Sequence, residues 1–347
     1  MKFLIGSKEE FMEFLSGISG EDRVGIITHN DLDGIASAVL IDLILKSRGI
    51  KVELVSFIGY ENEIFIKVIN KINKDKISKL FVTDINADSL NLEDFELLRR
   101  KTDLFLIDHH PINPLFKNHK NVIKTESYDC SSYVIYDMVK ESFNSDSWKF
   151  LVCAAMIYDF SYKNPKNLEF IKNIYPDVKE ENIMESVPGK ISNKITFNLI
   201  YFESNLKKVY DMILKMDFKN FDKYEKSVKE EIDRTIEKFW KEAEFYPEKN
   251  LYFYSCDFNF NILSVVSSFI SVEKPDSIFI LATKSKKNKN YMKISARCQN
   301  KSADMNKLMQ KAIEGLKNAN AGGHVAAAGA TIAKKDLERF KKRILSF

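Results

Sequence analysis

Acidic and imidazole side chains gather in three short segments: His29-Asn30-Asp31-Leu32-Asp33-Gly34, Asp84, and Asp108-His109-His110. Each follows a run with the length and composition of a strand: VGIIT, KLFVT and LFLI. A fourth acid, Asp159, ends the apolar run LVCAAMIY. Open parallel sheets build their sites in the crevice beyond the carboxyl ends of their strands, so these residues are candidates to converge. Several carboxylates in a partly desolvated crevice cannot all ionise without cations. A pair of divalent metals resolves that repulsion, with neutral imidazoles completing the ligand shell. Oxygen and imidazole donors without thiolate suit Mn²⁺ best, with Mg²⁺, Co²⁺ or Fe²⁺ as alternatives. Two ions about 3.5–4 Å apart can share a carboxylate, activate a water and neutralise a phosphate during in-line attack. Taken singly, an Asp after a strand is ordinarily a cap or turn residue, and adjacent histidines serve loop packing as readily as ligation. The combination is what points to chemistry.

The elements that must position these residues read as βαβ units. Strands are predicted at Val24–Thr28, Lys51–Phe57, Lys79–Thr83 and Leu104–Ile107. Helices are predicted from Gly34 to about Arg48, at Glu61–Lys71 and Leu92–Lys101, and around Ser132–Glu141 and Trp148–Tyr158. Strands alternating with helices of this length imply a parallel sheet. The stretch from about Asn164 to Glu248 lacks clear strands, and its later part is one long charged amphipathic helix. From Asn250 the pattern changes, with strands at Leu251–Ser255, Ser277–Ala282, Tyr291–Arg297 and Ala326–Ile332, and helices near Asn261–Ile270 and Ala303–Leu316. A basic helix ends the chain.

Composition excludes other classes. The 347 residues suit two domains, and 45% hydrophobic against 29% charged residues can bury a sizeable core. Lys and Arg number 53 against 49 Asp and Glu, a balance of +4 that is too mild to indicate nucleic acid by itself. No apolar run of about 18 residues is available to span a membrane. The opening MKFLIGSKEEF does not read as a signal peptide, and the scattered Cys130, Cys153, Cys256 and Cys298 form no CxxC pair. A cytoplasmic protein with no membrane partner is expected, with Cys153 as core packing.

The segments together resemble the DHH phosphoesterase family, whose four motifs stand here as HNDLDG (29–34), VTD (82–84), IDHHP (107–111) and YD (158–159). The C-terminal part resembles the DHH-associated domain through KISARC (293–298) and GGHVAAAGA (322–330). The resemblance implies an α/β fold of two domains joined by a helical linker. These are a parallel-sheet DHH domain over 1–215, including the helical part from about 164, a connector over 216–249, and a smaller DHH-associated substrate-binding domain over 250–347. It implies that His29 and Asp31 hold one metal, that Asp33, His109 and Asp159 hold the other, and that Asp84 bridges both. Asp108 would support the site or orient a histidine, and His110 would face the substrate phosphate as electrophile or acid.

Gly322 and Gly323 let backbone approach an anion closely, with His324 as a further donor; a tight turn entering a packed strand is the other reading. The resemblance favours the first, with Arg297 binding the phosphate or terminal nucleotide alongside this loop. Cys298 departs from the Ser commonly found after this arginine. The lysines of Lys284–Lys289 form either a solvated hairpin tip or a contact to a nucleic-acid backbone. The final KKDLERFKKR reads as a solvated helix face, His119 as uninvolved, and Tyr60, Tyr128 and Tyr162 as packing residues near loops where they could stack bases.

The HxDxD spacing at His29, Asp31 and Asp33 resembles RecJ exonucleases and their archaeal relatives. The nanoRNase, pAp phosphatase and pyrophosphatase branches generally carry HxxxDxD. The resemblance therefore implies a minimal two-domain RecJ-like nuclease that hydrolyses single-stranded DNA or RNA from an end, the 5′ end by preference, to mononucleotides. The strand terminus would lie in a crevice between the domains. Short oligonucleotides or pAp form the alternative substrate class. A replication-associated scaffold with little activity, bound to replication or repair proteins, is the alternative of a different kind.

Overall fold

Apolar runs that alternate with amphipathic helices build the first sheet, in a computed structural model that describes residues 1–59, 64–87, 92–113, 116, 119–143 and 146–347. The chain divides into two units, Met1–Glu225 and Lys226–Phe347. In the first unit the strands are β1 (Phe3–Ile5), β2 (Val24–His29), β3 (Val52–Ile58), β4 (Lys79–Thr83), β5 (Asp103–Asp108) and β6 (Val122–Thr125). They lie in the order β1-β6-β5-β4-β2-β3, parallel throughout except for β1, which runs antiparallel to β6 at the edge.

Side chains alternate across these strands, so each strand feeds two cores. Phe81 and Phe105 enter one core beside Phe11 of α1 (Lys8–Ser16), the body of α2 (Leu32–Ser47), α5 (Ser131–Val139) and α6 (Lys149–Tyr158). Their neighbours Val82 and Leu106 enter the other, under α3 (Ile64–Asp75) and α4 (Leu92–Arg99). The region without strands folds as α7 (Pro165–Ile174), α8 (Val187–Tyr201) and α9 (Leu206–Leu214) against the first core. There the Tyr210 hydroxyl donates to the buried Asp42 Oδ2 at 2.7 Å. The following helix, α10 (Phe218–Glu242), contains the division between the units.

From β2 the chain passes to β3 on one side of the sheet and then to β4 on the other. The topological switch therefore falls between the carboxyl ends of β2 and β4, where open α/β sheets leave a crevice. Thr28 and Thr83 close its floor: Thr83 Oγ1 donates to Thr28 Oγ1 at 2.8 Å, and Thr28 Oγ1 donates to Gly34 O at 2.7 Å.

The second unit holds β7 (Glu244–Tyr246), β8 (Leu251–Ser255), β9 (Ile278–Lys284), β10 (Tyr291–Arg297), β11 (Asn320–Gly323) and β12 (Ala327–Ala333). Their order is β11-β12-β10-β9-β8-β7, and only β8 and β9 are parallel. Ile280, Ile294 and Ile332 of this sheet pack on Met305 and Met309 of α12 (Met305–Ile313) and Phe340 of α13 (Leu337–Ser346); α11 (Leu263–Glu273) also belongs to this unit. No helix among the described residues is long and apolar enough to cross a membrane.

The two-sheet α/β fold is the class expected from sequence. From sequence, α7–α9 are expected only as one helical region without bounds, and among the described residues β1, α1, β6, β7 and β11 go unread altogether. Two of them are three-residue edge strands, β11 is the strand-poor tetrapeptide NAGG, and β6 carries a lysine inside its apolar run. The helix expected at Glu61–Lys71 runs from Ile64 to Asp75, and residues 61–63, like Tyr60, lie outside the described residues.

Candidate metal centre

His29 is the last residue of β2, and Asp31 caps α2, its Oδ1 accepting from the Gly34 amide at 3.0 Å. Gly34 has to be glycine, because a Cβ there would lie 2.3 Å from the His29 carbonyl oxygen. This close return places His29 and Asp31 side by side, with His29 Nδ1 2.8 Å from Asp31 Oδ2. Asp84 follows β4 with φ at +58°, a left-handed conformation that costs a non-glycine residue about 1–2 kcal/mol. The turn aims its carboxylate into the switch-point crevice. Its Oδ2 lies 3.8 Å from His29 Nδ1 and its Oδ1 lies 3.3 Å from His109 Nε2. Asp159, just past α6, brings its Oδ2 to 3.2 Å from the same His109 nitrogen.

Asp33 is fully buried on the first turn of α2 and faces the N-terminus of α5. Ser131 N donates to its Oδ2 at 2.6 Å, and Ser132 N and Oγ donate to its Oδ1 at 3.0 and 2.5 Å. Asp108, the last residue of β5, accepts at Oδ1 from His110 Nδ1 at 2.7 Å and at Oδ2 from Lys124 Nζ at 2.5 Å. Ser131, Ser132 and Lys124 were not identified from sequence. Serines at a helix start and one lysine in a strand have no spacing that distinguishes them from ordinary residues.

Among the described residues, three groups have ligand atoms within 4.8 Å of one another: His29, Asp31 and Asp84; Asp33, His109 and Asp159; and Asp84, His109 and His110. Asp84 belongs to two groups and His109 to two. No cysteine takes part, and the nearby Cys130 thiol is pushed well above its usual range by burial and by Asp33 and Asp159.

The electrostatics show what such packing costs without cations. Burial, then Asp31, Asp33 and Asp159, raises Asp84 well above the usual carboxylate range. Asp159 is pushed up to about 7 by burial, with Asp33 and Asp31 adding to it and His109 opposing. Asp31 is held low: burial works against it, but the charge and hydrogen bond of His29 prevail. Burial lowers the basicity of His29 and His109, yet the acids around them raise both above the ordinary imidazole value. A site of two buried and two partly buried acids beside imidazoles, whose crowding raises Asp84 and Asp159, is a donor set that fits divalent cations.

In the second unit, β10 and β12 bring the C-terminal residues to one end of the sheet. Arg297 pairs with Ala327, and Gly323 pairs with Ala328. Gly323 has φ at +148°, and a Cβ there would lie 2.4 Å from Ala327 O. The His324 amide donates to that same oxygen at 2.7 Å, closing the turn. Gly322, Gly323 and His324 are exposed, and Arg297 Nη2 donates to Ser264 Oγ at 3.0 Å at the start of α11. At the opposite end of β10, Lys284 pairs with Asp257 and Lys286 Nζ donates to Asn259 O. Tyr162 and Cys153 are buried and Tyr128 is 46% exposed. His119 packs on Phe116 and contacts Arg99 at 2.7 Å.

The DHH family N-terminal domain model matches residues 23–158, and the DHHA1 domain model matches residues 249–347. No curated protein sequence matches the chain. Solved structures share its fold. RecJ in complex with Mn²⁺ from Thermus thermophilus aligns with a TM-score of 0.73 at 14% identity, over 98% of this chain and 54% of that one. This chain thus spans about half the length of that protein. Exonuclease RecJ bound to manganese aligns at 0.69 and 15%, over 97% of this chain and 92% of that one. CDC45 from Entamoeba histolytica aligns at 0.60 and 15%, over 98% and 99%. At these identities the likeness is one of fold.

Proposed function

This chain belongs to the DHH family and carries a DHHA1 domain, and we propose that it is a divalent-metal-dependent exonuclease. It hydrolyses phosphodiester bonds of single-stranded DNA or RNA from an end, the 5′ end by preference, to mononucleotides. The observation that carries this reading is that Asp84 belongs to one ligand group with His29 and Asp31 and to another with His109 and His110, while His109 also belongs to a third with Asp33 and Asp159.

Two metal ions would sit on these residues, Asp84 between them, with Mn²⁺ as the ion that the donor set and the manganese-bound RecJ structures support. When bound, such a pair lowers the pKa of water and neutralises phosphate charge. The chain's own groups do the rest. Asp108 holds His110 through Nδ1, so that Nε2 is the nitrogen that would donate to a phosphate oxygen or to the leaving oxygen. Arg297, Gly322, Gly323 and His324 supply a guanidinium fork and backbone donors for a substrate phosphate. Single-stranded nucleic acid is the partner, with replication or repair proteins as further ones.

The CDC45 likeness supports a scaffold reading only at the level of fold, and the complete acid and histidine set speaks for catalysis. End-labelled single-stranded DNA and RNA of several lengths, incubated with Mn²⁺, test the proposal beside an Asp84→Ala, His109→Ala double variant. Mononucleotide products that vanish in the variant support it. Turnover confined to two- to five-nucleotide oligomers or pAp would move the substrate to short oligonucleotides. No turnover of any phosphoester, with a stable partner bound, would make the chain a scaffold.

A further inference from the structure

Lys124 is an ammonium with no solvent exposure, placed in the middle of β6. Register alone brings it to Asp108, because β5 and β6 pair in parallel with Asp108 opposite Lys124. Its Nζ lies 2.5 Å from Asp108 Oδ2 and 3.4 Å from the carbonyl oxygen of His110. The other oxygen of the same carboxylate takes the His110 ring at 2.7 Å. One lysine therefore holds both the backbone of His110 and the carboxylate that holds its imidazole.

Burying a charge is costly unless it is paired, so an apolar residue would be the ordinary occupant of this strand position. What the lysine does for Asp108 gives a reason for it. Asp108 stands next to a cluster of four other acids and affects Asp84 electrostatically. Nevertheless, among the described residues it belongs to none of the three groups able to hold a metal. Its two oxygens are committed, one to Lys124 and one to His110.

We infer that Lys124 is a positioning residue for His110: it fixes Asp108 as the acceptor for His110 Nδ1, which sets the orientation of the ring and turns Nε2 away from Asp108. A histidine's reactive nitrogen is set by the hydrogen bond its other nitrogen makes. The use made of Nε2 rests on the hydrolytic reading above; the placement of the ring does not.

Two measurements on Lys124→Met test this. The first is the ¹⁵N spectrum of the histidine rings in metal-free protein, which does not depend on activity. Wild type is expected to show His110 protonated at Nδ1, and the variant a mixture of tautomers. The second is a double-mutant cycle with His110→Ala. Lys124→Met is expected to lower kcat about 10–100-fold with KM nearly unchanged, the usual range for a residue supporting a ligand or acid from behind. In the His110→Ala background it should cost less than about twofold, as expected of residues acting as a unit. Unchanged His110 ring signals, or the same loss with and without His110, would reduce Lys124 to a structural ion pair. Should Lys124→Met fail to fold, Lys124→Gln, which keeps a donor without the charge, is read the same way. If no phosphoester is turned over, the hydrolytic reading falls and the ring spectrum still decides the role of Lys124.

Discussion

Ser132 holds Asp33 twice, its amide and its hydroxyl both donating to the same Oδ1, at 3.0 and 2.5 Å. With the Ser131 amide on Oδ2, the buried carboxylate has donors on both oxygens before any cation arrives. The start of α5 thus fixes where an acid of α2 points, and places negative charge at a helix N-terminus where it is favoured.

Ser132→Ala should weaken Mn²⁺ binding about tenfold, the low end for loss of a group that orients a ligand. The two backbone amides remain, so the loss should be partial. Calorimetric titration of the metal-free protein checks it. Affinity equal to wild type would mean that the amides alone set Asp33.

Removing metal should make stability strongly pH-dependent. The folded-state pKa of Asp159 is pushed up to about 7, and Asp84, His29 and His109 are raised as well. Groups raised in the folded state contribute stability that is present below their unfolded values and lost as pH rises through the folded ones. For Asp159 that window runs from about pH 4 to about 7. Thermal denaturation in chelator should therefore give a lower Tm at pH 8 than at pH 5.5, and Mn²⁺ should restore more at pH 8. A chelated protein equally stable at both values would contradict the crowding of these acids.

Asp84→Asn keeps the shape of the side chain and removes the shared charge. Turnover should fall about 10³-fold, the scale of several kcal/mol for metal-assisted charge stabilisation. Metal content by mass spectrometry should fall in parallel. Full metal content with full activity would overturn the proposed bridging role of Asp84.

Arg297→Ala should raise KM about 10–100-fold with little change in kcat, because a charge-assisted bond to a phosphate away from the reacting bond contributes about 1.5–3 kcal/mol to binding. Steady-state kinetics on a single-stranded substrate decides it. A fall in kcat at constant KM would place Arg297 at the reacting phosphate instead.

The hairpin lysines separate two readings through salt. Replacing Lys286, Lys287 and Lys289 with Gln should flatten the dependence of log affinity on log salt by about 0.7 for each single-strand phosphate that a lysine no longer neutralises. Binding of a labelled 20-mer over a range of salt measures this. An unchanged slope identifies a solvated hairpin tip.

Much of the candidate metal centre was legible because its residues lie at the ends of elements whose composition is unambiguous. His29, Asp31, Asp84 and His109 follow apolar β-branched runs, and Asp159 follows an apolar helix, so period and length alone predict that they gather at one edge. The residues that aim them were not legible. Ser131 and Ser132 look like any helix start, and Lys124 looks like the exposed residue of an alternating strand. β6 itself was missed because that lysine interrupts its apolar run.

The amino-acid sequence by itself determined the α/β class, the alternation of elements and the chemical identity of the donors, since these depend on local periodicity and on residue type. The family resemblance already divides the donors and keeps Asp108 apart from them; tertiary structure supplies the physical reason, in the partners that each acid meets. Asp108 and Asp159 are both acids at the end of an apolar element, and sequence pattern gives them no physical difference. The parallel register of β5 and β6 puts Lys124 against Asp108 alone. Asp159 meets His109 Nε2 instead. A contact between residues far apart in the chain follows from strand order and register, which local pattern does not encode.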